Sequence, residues 1–373
     1  KKDDLNAAID SFKRAIKVKS DYAEAYYNMG VALSDKGEID AAIDNYNKAI
    51  QIKPDYAGAH WNQSQEYLSK GDFEKGWIGY DWRWQILPIK PLLFTTSKPE
   101  WKPISKERVL LWGEQGIGDQ ILFASLVPEL LLLCSKLIIQ VDSRLIPLFK
   151  RSFPNTISYY SLSEKIPKKN YDSQISMGSL PKYLRNNLDS FQNSSHGYLC
   201  ADRKRAKCIR DSLLSDGTDF LYGVAWRGGK EGKIKTEQRR IQLSKIASVL
   251  TGENVKLVSL QYGEVEQEIA EVKEKLGINV ITVSEVDNFK DIDGLAALIE
   301  ACDVVVSVAS STANLAGAQN KKTAVLLPFC HDWRWKLVPP KSYWYSSVRL
   351  FRQRQDSDWD QSISELKPFV VGP

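Results

Sequence analysis

Gly113-Glu114-Gln115-Gly116-Ile117-Gly118-Asp119-Gln120 sets glycines and a carboxylate where an apolar run gives way to a helical pattern. Gly116 and Gly118 let the backbone turn sharply and let a ligand come close, and a helix starting there offers untaken N–H groups. Asp119, in the first helical turn, can accept a proton from an acceptor hydroxyl; its plainer role is to balance the helix dipole. The turn lacks the third glycine of a dinucleotide fingerprint, and Asp142 is the only acid near the end of the next strand, which disfavours a dehydrogenase. Trp226-Arg227-Gly228-Gly229-Lys230, followed by Lys233, Lys235, Arg239 and Arg240, joins flexible backbone donors to fixed cations, as a diphosphate requires. A solvated charged loop has the same composition. In Ser307-Val308-Ala309-Ser310-Ser311-Thr312-Ala313-Asn314-Leu315-Ala316-Gly317 a buried strand enters a hydroxyl-rich turn and a small-residue helix. Hydroxyls and helix N–H groups together form a neutral anion cradle, and Ser or Thr also serves there as an ordinary helix cap. With no histidine in local reach, a serine nucleophile is disfavoured. Finally, Pro328–Trp335 (with Asp332, Trp333 and Arg334), Tyr343-Trp344-Tyr345 and Val348–Gln353 interleave aromatic and charged groups, a surface suited to sugars or bases or to packing between domains.

Two alternating blocks must position these groups. In the first, strands at Arg108–Trp112 and Leu137–Val141 flank a helix over Asp119–Leu133, with weaker strands at Ile157–Tyr160 and Ser173–Ser176 and an irregular stretch over 161–195. In the second, strands at Leu221–Trp226, Val255–Gln261, Val280–Thr282, Val304–Val308 and Thr323–Leu327 alternate with helices at Leu243–Leu250, Gly263–Leu276, Ile292–Ala301 and Ala313–Ala318. Such alternation predicts two doubly wound, Rossmann-like domains with a helical hinge at Asp202–Leu214, their ligands bound at the C-terminal ends of the strands. Upstream, a 34-residue shift lays Ala7-Ala8 on Ala41-Ala42, Phe12 on Tyr46, Ala25 on Ala59 and Gly37 on Gly71. This period and pattern resemble the tetratricopeptide repeat and predict helices over about 3–18, 21–36, 38–52, 55–70 and 72–86. The array either packs as a module or recruits a peptide or protein acceptor on its concave face, and the aromatic run Gly76–Trp84 is expected to pack against the next domain as a cap. The expected organisation is an α/β protein with an all-α N-terminal array: repeats over 1–86, a proline-rich connector over 87–106, an acceptor domain over 107–214, a donor domain over 215–354 and a C-terminal segment over 355–373.

Composition narrows the classes. A chain of 373 residues calls for two or three domains, and 51 Lys and Arg against 46 Asp and Glu, spread over all segments, give no basic stripe for nucleic acid. Five cysteines without short paired spacing point away from a disulfide framework or a zinc knuckle and toward a reducing, cytoplasmic setting. Three scattered histidines give poor support to a metal site, and no apolar stretch is long enough to span a membrane. The charged, helical N-terminus has no signal-peptide pattern.

Taken in order, the repeats, the G-W-x-x-Y-x-W-R-W helix, E-Q-G-I-G-D, the W-R-G loop, the turn ending N-L-A-G-A, and L-L-P-F-x-x-D-W-R-W resemble bacterial tetratricopeptide-fused glycosyltransferases related to the lipopolysaccharide heptosyltransferases, and more distantly the O-linked N-acetylglucosamine transferases. The resemblance implies GT-B architecture and inverting, metal-independent transfer from a nucleotide-diphosphate sugar to a glycan or protein hydroxyl. It implies Asp119 as general base, Arg239 near the donor diphosphate, Ser310-Ser311-Thr312 holding that diphosphate, and Gln261 at the base and ribose. Trp226, Arg227, Lys230 and Asn314 complete the expected donor side. Gly116, Gly118, Gln120, Asp332, Trp333 and Arg334 form the acceptor side, and neither a cofactor nor a metal is expected. Many relatives carry aspartate at the position of Ala309 and histidine at that of Asn314, and their R-S-I-P run reads Arg239-Arg240-Ile241-Gln242 here. These departures leave a second reading, a non-catalytic scaffold on a degenerate transferase fold.

Overall fold

The computed structural model describes residues 2–86, 94–104, 106–194, 196–214, 220–229, 240–252, 254–329, 332–335, 340–354 and 358–371. The chain forms two compact units, one of Lys1–Thr95, Ser179–Ser190 and Cys330–Leu337, the other of Thr96–Gly178, Phe191–Phe329 and Val338–Pro373.

The first unit is helical: α1 (Lys2–Val18), α2 (Ala23–Asp35), α3 (Ile39–Ile52), α4 (Ala57–Lys70) and α5 (Phe73–Tyr80), followed by a 3₁₀ turn, Asp81–Gln85. The 34-residue period appears as repeated backbone geometry. Gly37 (φ 81°) and Gly71 (φ 83°) take the left-handed conformation after α2 and α4. In each case the following residue donates back five positions, Glu38 to the Leu33 carbonyl and Asp72 to that of Tyr67, which closes the helix end. Between α2 and α3 the Tyr46 ring lies on Gly30, so close that a methyl group there would stand 2.6 Å from it. The aromatic run Gly76–Trp84, expected to act as a cap against the next domain, packs on two later segments that belong to the same helical unit. Trp77 donates its indole N–H to the Arg185 carbonyl at 2.6 Å, and Trp77 and Tyr80 meet Trp333 edge-on at 5.3 and 5.8 Å. Arg83 is wholly buried, paired with Asp81 at 2.9 Å and donating to Ser179 Oγ at 2.8 Å. A buried cation is tolerated only when its donors are met in this way.

The second unit holds two parallel sheets. In the first, β1 (Arg108–Trp112), β2 (Lys136–Val141), β3 (Ser158–Ser161) and β4 (Ser173–Ser176) lie in the order β3-β2-β1-β4. In the second, β5 (Phe220–Ala225), β6 (Val255–Ser259), β7 (Val280–Ile281), β8 (Val304–Val308), β9 (Thr323–Leu327) and β10 (Val348–Arg352) lie in the order β10-β9-β8-β5-β6-β7. The central strands β1, β8 and β9 are buried along nearly their whole length, which is why they read as unbroken apolar runs.

Three expectations change. The helix expected over Asp119–Leu133 is two, Ile117–Ala124 and Val127–Leu133, because Pro128 has no N–H to continue the ladder and instead occupies a first turn. Val348–Gln353, read as a surface either for sugars or bases or for packing between domains, is largely strand β10, with Val348, Leu350 and Phe351 buried. Helix Ile146–Ser152 has no counterpart among the expected elements. Segment 355–373 includes helices Asp360–Ser364 and Leu366–Val371, whose Ile363, Leu366 and Val370 join the core beneath the second sheet.

Alanine at Gly30 should reverse the usual sign of a glycine-to-alanine change in a helix. The ordinary gain of about 0.5–1 kcal/mol is outweighed by about 1–3 kcal/mol of overpacking against the Tyr46 ring. Thermal melting of Gly30→Ala should therefore show a transition a few degrees lower; a higher one would contradict this packing.

Candidate functional site

Both sheets have a switch point, where the direction of winding reverses: between β1 and β4 in the first, and between β5 and β8 in the second. Diverging connections open a crevice beyond the strand ends at such places. The glycine turn follows β1, the Trp226-Arg227-Gly228 loop follows β5, and the hydroxyl-rich turn follows β8. Three of the four stretches singled out above thus leave the sheets at their switch points.

At the first sheet, Gly116 begins helix Ile117–Ala124 without a side-chain cap, and Asp119 occupies its first turn, half-buried. The Asp119 carboxylate leans back over the turn: a methyl group on Gly116 would lie 3.9 Å from its Oδ2. Gln115 takes a left-handed φ of 54°, an uncommon conformation for a residue with a side chain. Buried Glu114 ties this turn to the end of β4, its Oε1 accepting the Gly178 N–H at 2.9 Å. Gln120 is also buried, and its Oε1 accepts the Asp142 N–H at 2.9 Å, which pins the end of β2. Hydrogen bonds from Arg144 hold the Asp142 carboxyl below its ordinary range.

At the second sheet, Gly228 packs against the hydroxyl-rich turn so tightly that a methyl group would stand 2.6 Å from the Ala309 carbonyl oxygen. Gln261 clamps the loop from β6, its Oε1 accepting the Trp226 and Arg227 N–H groups at 3.0 and 2.9 Å. The Trp226 ring is fully buried and donates to Glu268 Oε2 at 2.9 Å, so Trp226 contributes backbone to the loop surface. Arg227 and Arg240 pair with the same Glu268 carboxylate at 3.3 and 3.0 Å. Tyr262 donates to the Gly229 carbonyl at 3.2 Å, and burial raises its phenol pKa. Lys230 and Arg239, with Lys233 and Lys235, lie outside the described residues.

Ser310 caps helix Ser311–Ala318, its Oγ accepting the Ala313 N–H at 3.3 Å and lying 3.0 Å from Ser307 Oγ. Ser310 and Ser311 are half-exposed, while Thr312 and Asn314 are buried. Asn314 Nδ2 donates to the Ser310 carbonyl at 3.2 Å.

The two helices meet. A methyl group on Gly118 would lie 3.2 Å from Asn314 Nδ2 and 3.4 Å from Ser311 Cα. Gly118 is thereby brought against Ser311 and Asn314, and through Ala309 the hydroxyl-rich turn adjoins Gly228 of the loop that carries Trp226 and Arg227. Asp332, Trp333 and Arg334 belong instead to the helical unit: Asp332 Oδ1 accepts from Arg334 Nη1 at 2.8 Å, Arg334 Nη2 reaches the Tyr80 hydroxyl at 3.3 Å, and Trp333 is buried on α5.

Sequence reasoning missed Glu114 and Glu268. The first stands inside the glycine motif and was legible as a carboxylate beside a sharp turn. The second lies 42 positions after Trp226, with no local signal. Among the described residues no group of three or more His, Cys, Asp or Glu side chains is placed to hold a metal ion, and no helix is long and apolar enough to cross a membrane.

Comparison with known proteins gives three kinds of similarity. FlbA of Caulobacter vibrioides is 28% identical over 387 residues, covering 97% of this chain but 64% of FlbA, so the chain spans about two thirds of that relative. Among solved structures, Escherichia coli ADP-heptose lipopolysaccharide heptosyltransferase II is similar at 14% identity and a TM-score of 0.46, covering 71% of this chain and 96% of that one. The Thermobaculum terrenum O-GlcNAc transferase is similar at 11% identity and a TM-score of 0.35, covering 99% and 87%. Family models described as "Tetratricopeptide repeat" and "TPR repeat" match residues 23–56 and 1–37. Together with the helical hairpins and their recurring glycine turns, these matches establish that the N-terminal helices are tetratricopeptide repeats.

Proposed function

We propose that the chain is an inverting glycosyltransferase of GT-B architecture, which moves a sugar from a nucleotide-diphosphate donor to a hydroxyl of a glycan or protein. One observation supports this reading above the others: two helix N-termini, each leaving a parallel sheet at its switch point, converge at Gly118 with a carboxylate on one side and hydroxyls on the other.

In this reading Asp119 takes the proton as the acceptor oxygen attacks the anomeric carbon. A new C–O bond forms on the face opposite the leaving group, the bond to the diphosphate breaks, and the electron pair leaves with the phosphate oxygen. The developing charge meets the N–H groups of helix Ser311–Ala318, the hydroxyls of Ser310 and Ser311, and the basic loop after β5, while Thr312, expected among the donor contacts, is buried beneath them. Donors fixed before the reaction do not have to reorganise during it. Gln261 acts by clamping the Trp226-Arg227 backbone. The tetratricopeptide repeats offer a surface for a protein acceptor. No metal enters the scheme, because helix ends and cations supply the positive potential.

The first test is a thermal-shift screen with UDP, GDP and ADP and their sugars, followed by transfer and donor-hydrolysis assays. A ligand that binds only the folded chain must raise its melting point. Asp119→Asn should keep nucleotide binding within about twofold and lose about 10²–10⁴ in turnover, the usual worth of a general base. Nucleotide binding without transfer or hydrolysis in the wild-type chain would instead favour the scaffold reading. Turnover should persist in excess chelator; its loss there would sink the metal-free scheme. Gly228→Ala should weaken diphosphate binding by tenfold or more, because its methyl group displaces the Ala309 backbone. Gly252→Ala, where the nearest atom is an ordinary 3.5 Å away, should leave binding unchanged.

A further inference from the structure

Tyr343-Trp344-Tyr345 has the composition of a ligand surface, yet Trp344 and Tyr345 are only 4% and 2% exposed. The two rings divide between the helices that meet at the candidate site. Trp344 contacts Phe123 of helix Ile117–Ala124 with ring centres 6.0 Å apart, and Phe191 edge-on at 5.0 Å. Tyr345 lies flat on Gly317 of helix Ser311–Ala318, where a methyl group would stand 2.5 Å from its ring, and donates its hydroxyl to Asn314 Oδ1 at 3.0 Å. That bond fixes the orientation of the Asn314 amide. With Oδ1 held by Tyr345, Nδ2 is turned toward the Ser310 carbonyl and Gly118. Beside Tyr345, Tyr198 donates to the Ile121 carbonyl of the other helix at 2.8 Å and takes the Ala318 carbonyl on its own backbone N–H at 2.9 Å.

We infer that Trp344-Tyr345 is an aromatic wedge that sets the spacing between the Asp119 turn and the Ser310–Thr312 turn, and that Tyr345 is a positioning residue acting through Asn314. The inference rests on the reading of these turns as the two sides of a transfer site, but its geometric part can be measured without any ligand. Tyr345 acts through Asn314, whose Oδ1 accepts its hydroxyl. It holds the amide that packs where Gly118 leaves room, and a rotation of that amide would change how closely the two N-termini approach. A bond whose only task was to stabilise the fold would affect melting and leave affinity alone.

The experiment is a double-mutant cycle of wild type, Tyr345→Phe, Asn314→Ala and the double variant. It reads melting temperature, amide hydrogen exchange over residues 311–318 and 117–124, and the affinity for whichever of UDP, GDP or ADP stabilises the wild type. Phenylalanine keeps the ring on Gly317 and removes only the hydroxyl. Tyr345→Phe should speed exchange in the first turn of both helices and weaken diphosphate binding about fivefold, the equivalent of one net hydrogen bond. Both effects should shrink in the Asn314→Ala background, where only the contact of the Tyr345 hydroxyl with Tyr198 is left to lose. Additive effects, or exchange confined to one helix, would overturn the inference. Coupled exchange in a chain that none of the three nucleotides stabilises would uphold the wedge and overturn the proposed function instead. Unchanged affinity with a lowered melting point would reduce Tyr345 to a packing residue.

Discussion

Gly118 has no side chain, and because of this helix Ile117–Ala124 comes to within van der Waals distance of Ser311 and Asn314 on the second sheet's helix. A methyl group would already be crowded against the Asn314 amide, and anything larger would force the helices apart. The requirement propagates outward. Each helix is fixed at its N-terminus by the strand it follows, so the crossing also fixes the two switch points, and with them Glu114 and Gln120 on one side and Gly228 and Gln261 on the other. An ion pair and a hydrogen bond farther out agree with the same arrangement: Arg151 grips Asp293 through both terminal guanidinium nitrogens at 2.5 and 2.8 Å, and Arg144 donates to the Phe289 carbonyl at 2.9 Å. Partly exposed pairs of this kind add little energy, but they limit which crossings are compatible with the rest of the unit.

The loops around the crossing are held by carboxylates and amides that face inward. Glu268 receives an indole N–H and two guanidinium groups, and Gln261 receives two backbone N–H groups from the same loop. Buried polar groups with partners of this quality make a loop behave as part of the scaffold; without partners they would destabilise it. The basic loop after β5 is therefore preset at its start, where Trp226 and Arg227 leave the strand.

Much of this fold could be read from the residues. The 34-residue period exposed the repeats, because stacking of identical hairpins demands small and aromatic residues at fixed offsets. Buried parallel strands such as Val304–Val308 and Thr323–Leu327 were legible at their full length, since both faces are covered. Less legible was whatever depends on partners distant in the chain. Pro128 was in plain view, yet an apolar pattern continued across it. Val348–Phe351 alternates charge with bulk, as a sugar-binding surface would, and only its pairing with β9 makes it a strand. Tyr343-Trp344-Tyr345 looked like a ligand surface because aromatic composition is the same in a binding face and in a wedge. At the candidate site, the turns announced themselves through glycine and serine, whereas Glu268 gave no local sign.

The cap over α5 has a consequence for the order of events during synthesis. Trp77 and Tyr80 are covered by residues 333 and 185, which leave the ribosome long after the helices they protect. At about 5–20 residues per second, roughly ten seconds or more separate the emergence of α5 from that of Trp333. During that interval the repeat array presents two large apolar rings to whatever is nearby. The array precedes both sheets in the chain, yet these two rings stay uncovered until Trp333 has followed, after β9 of the second sheet.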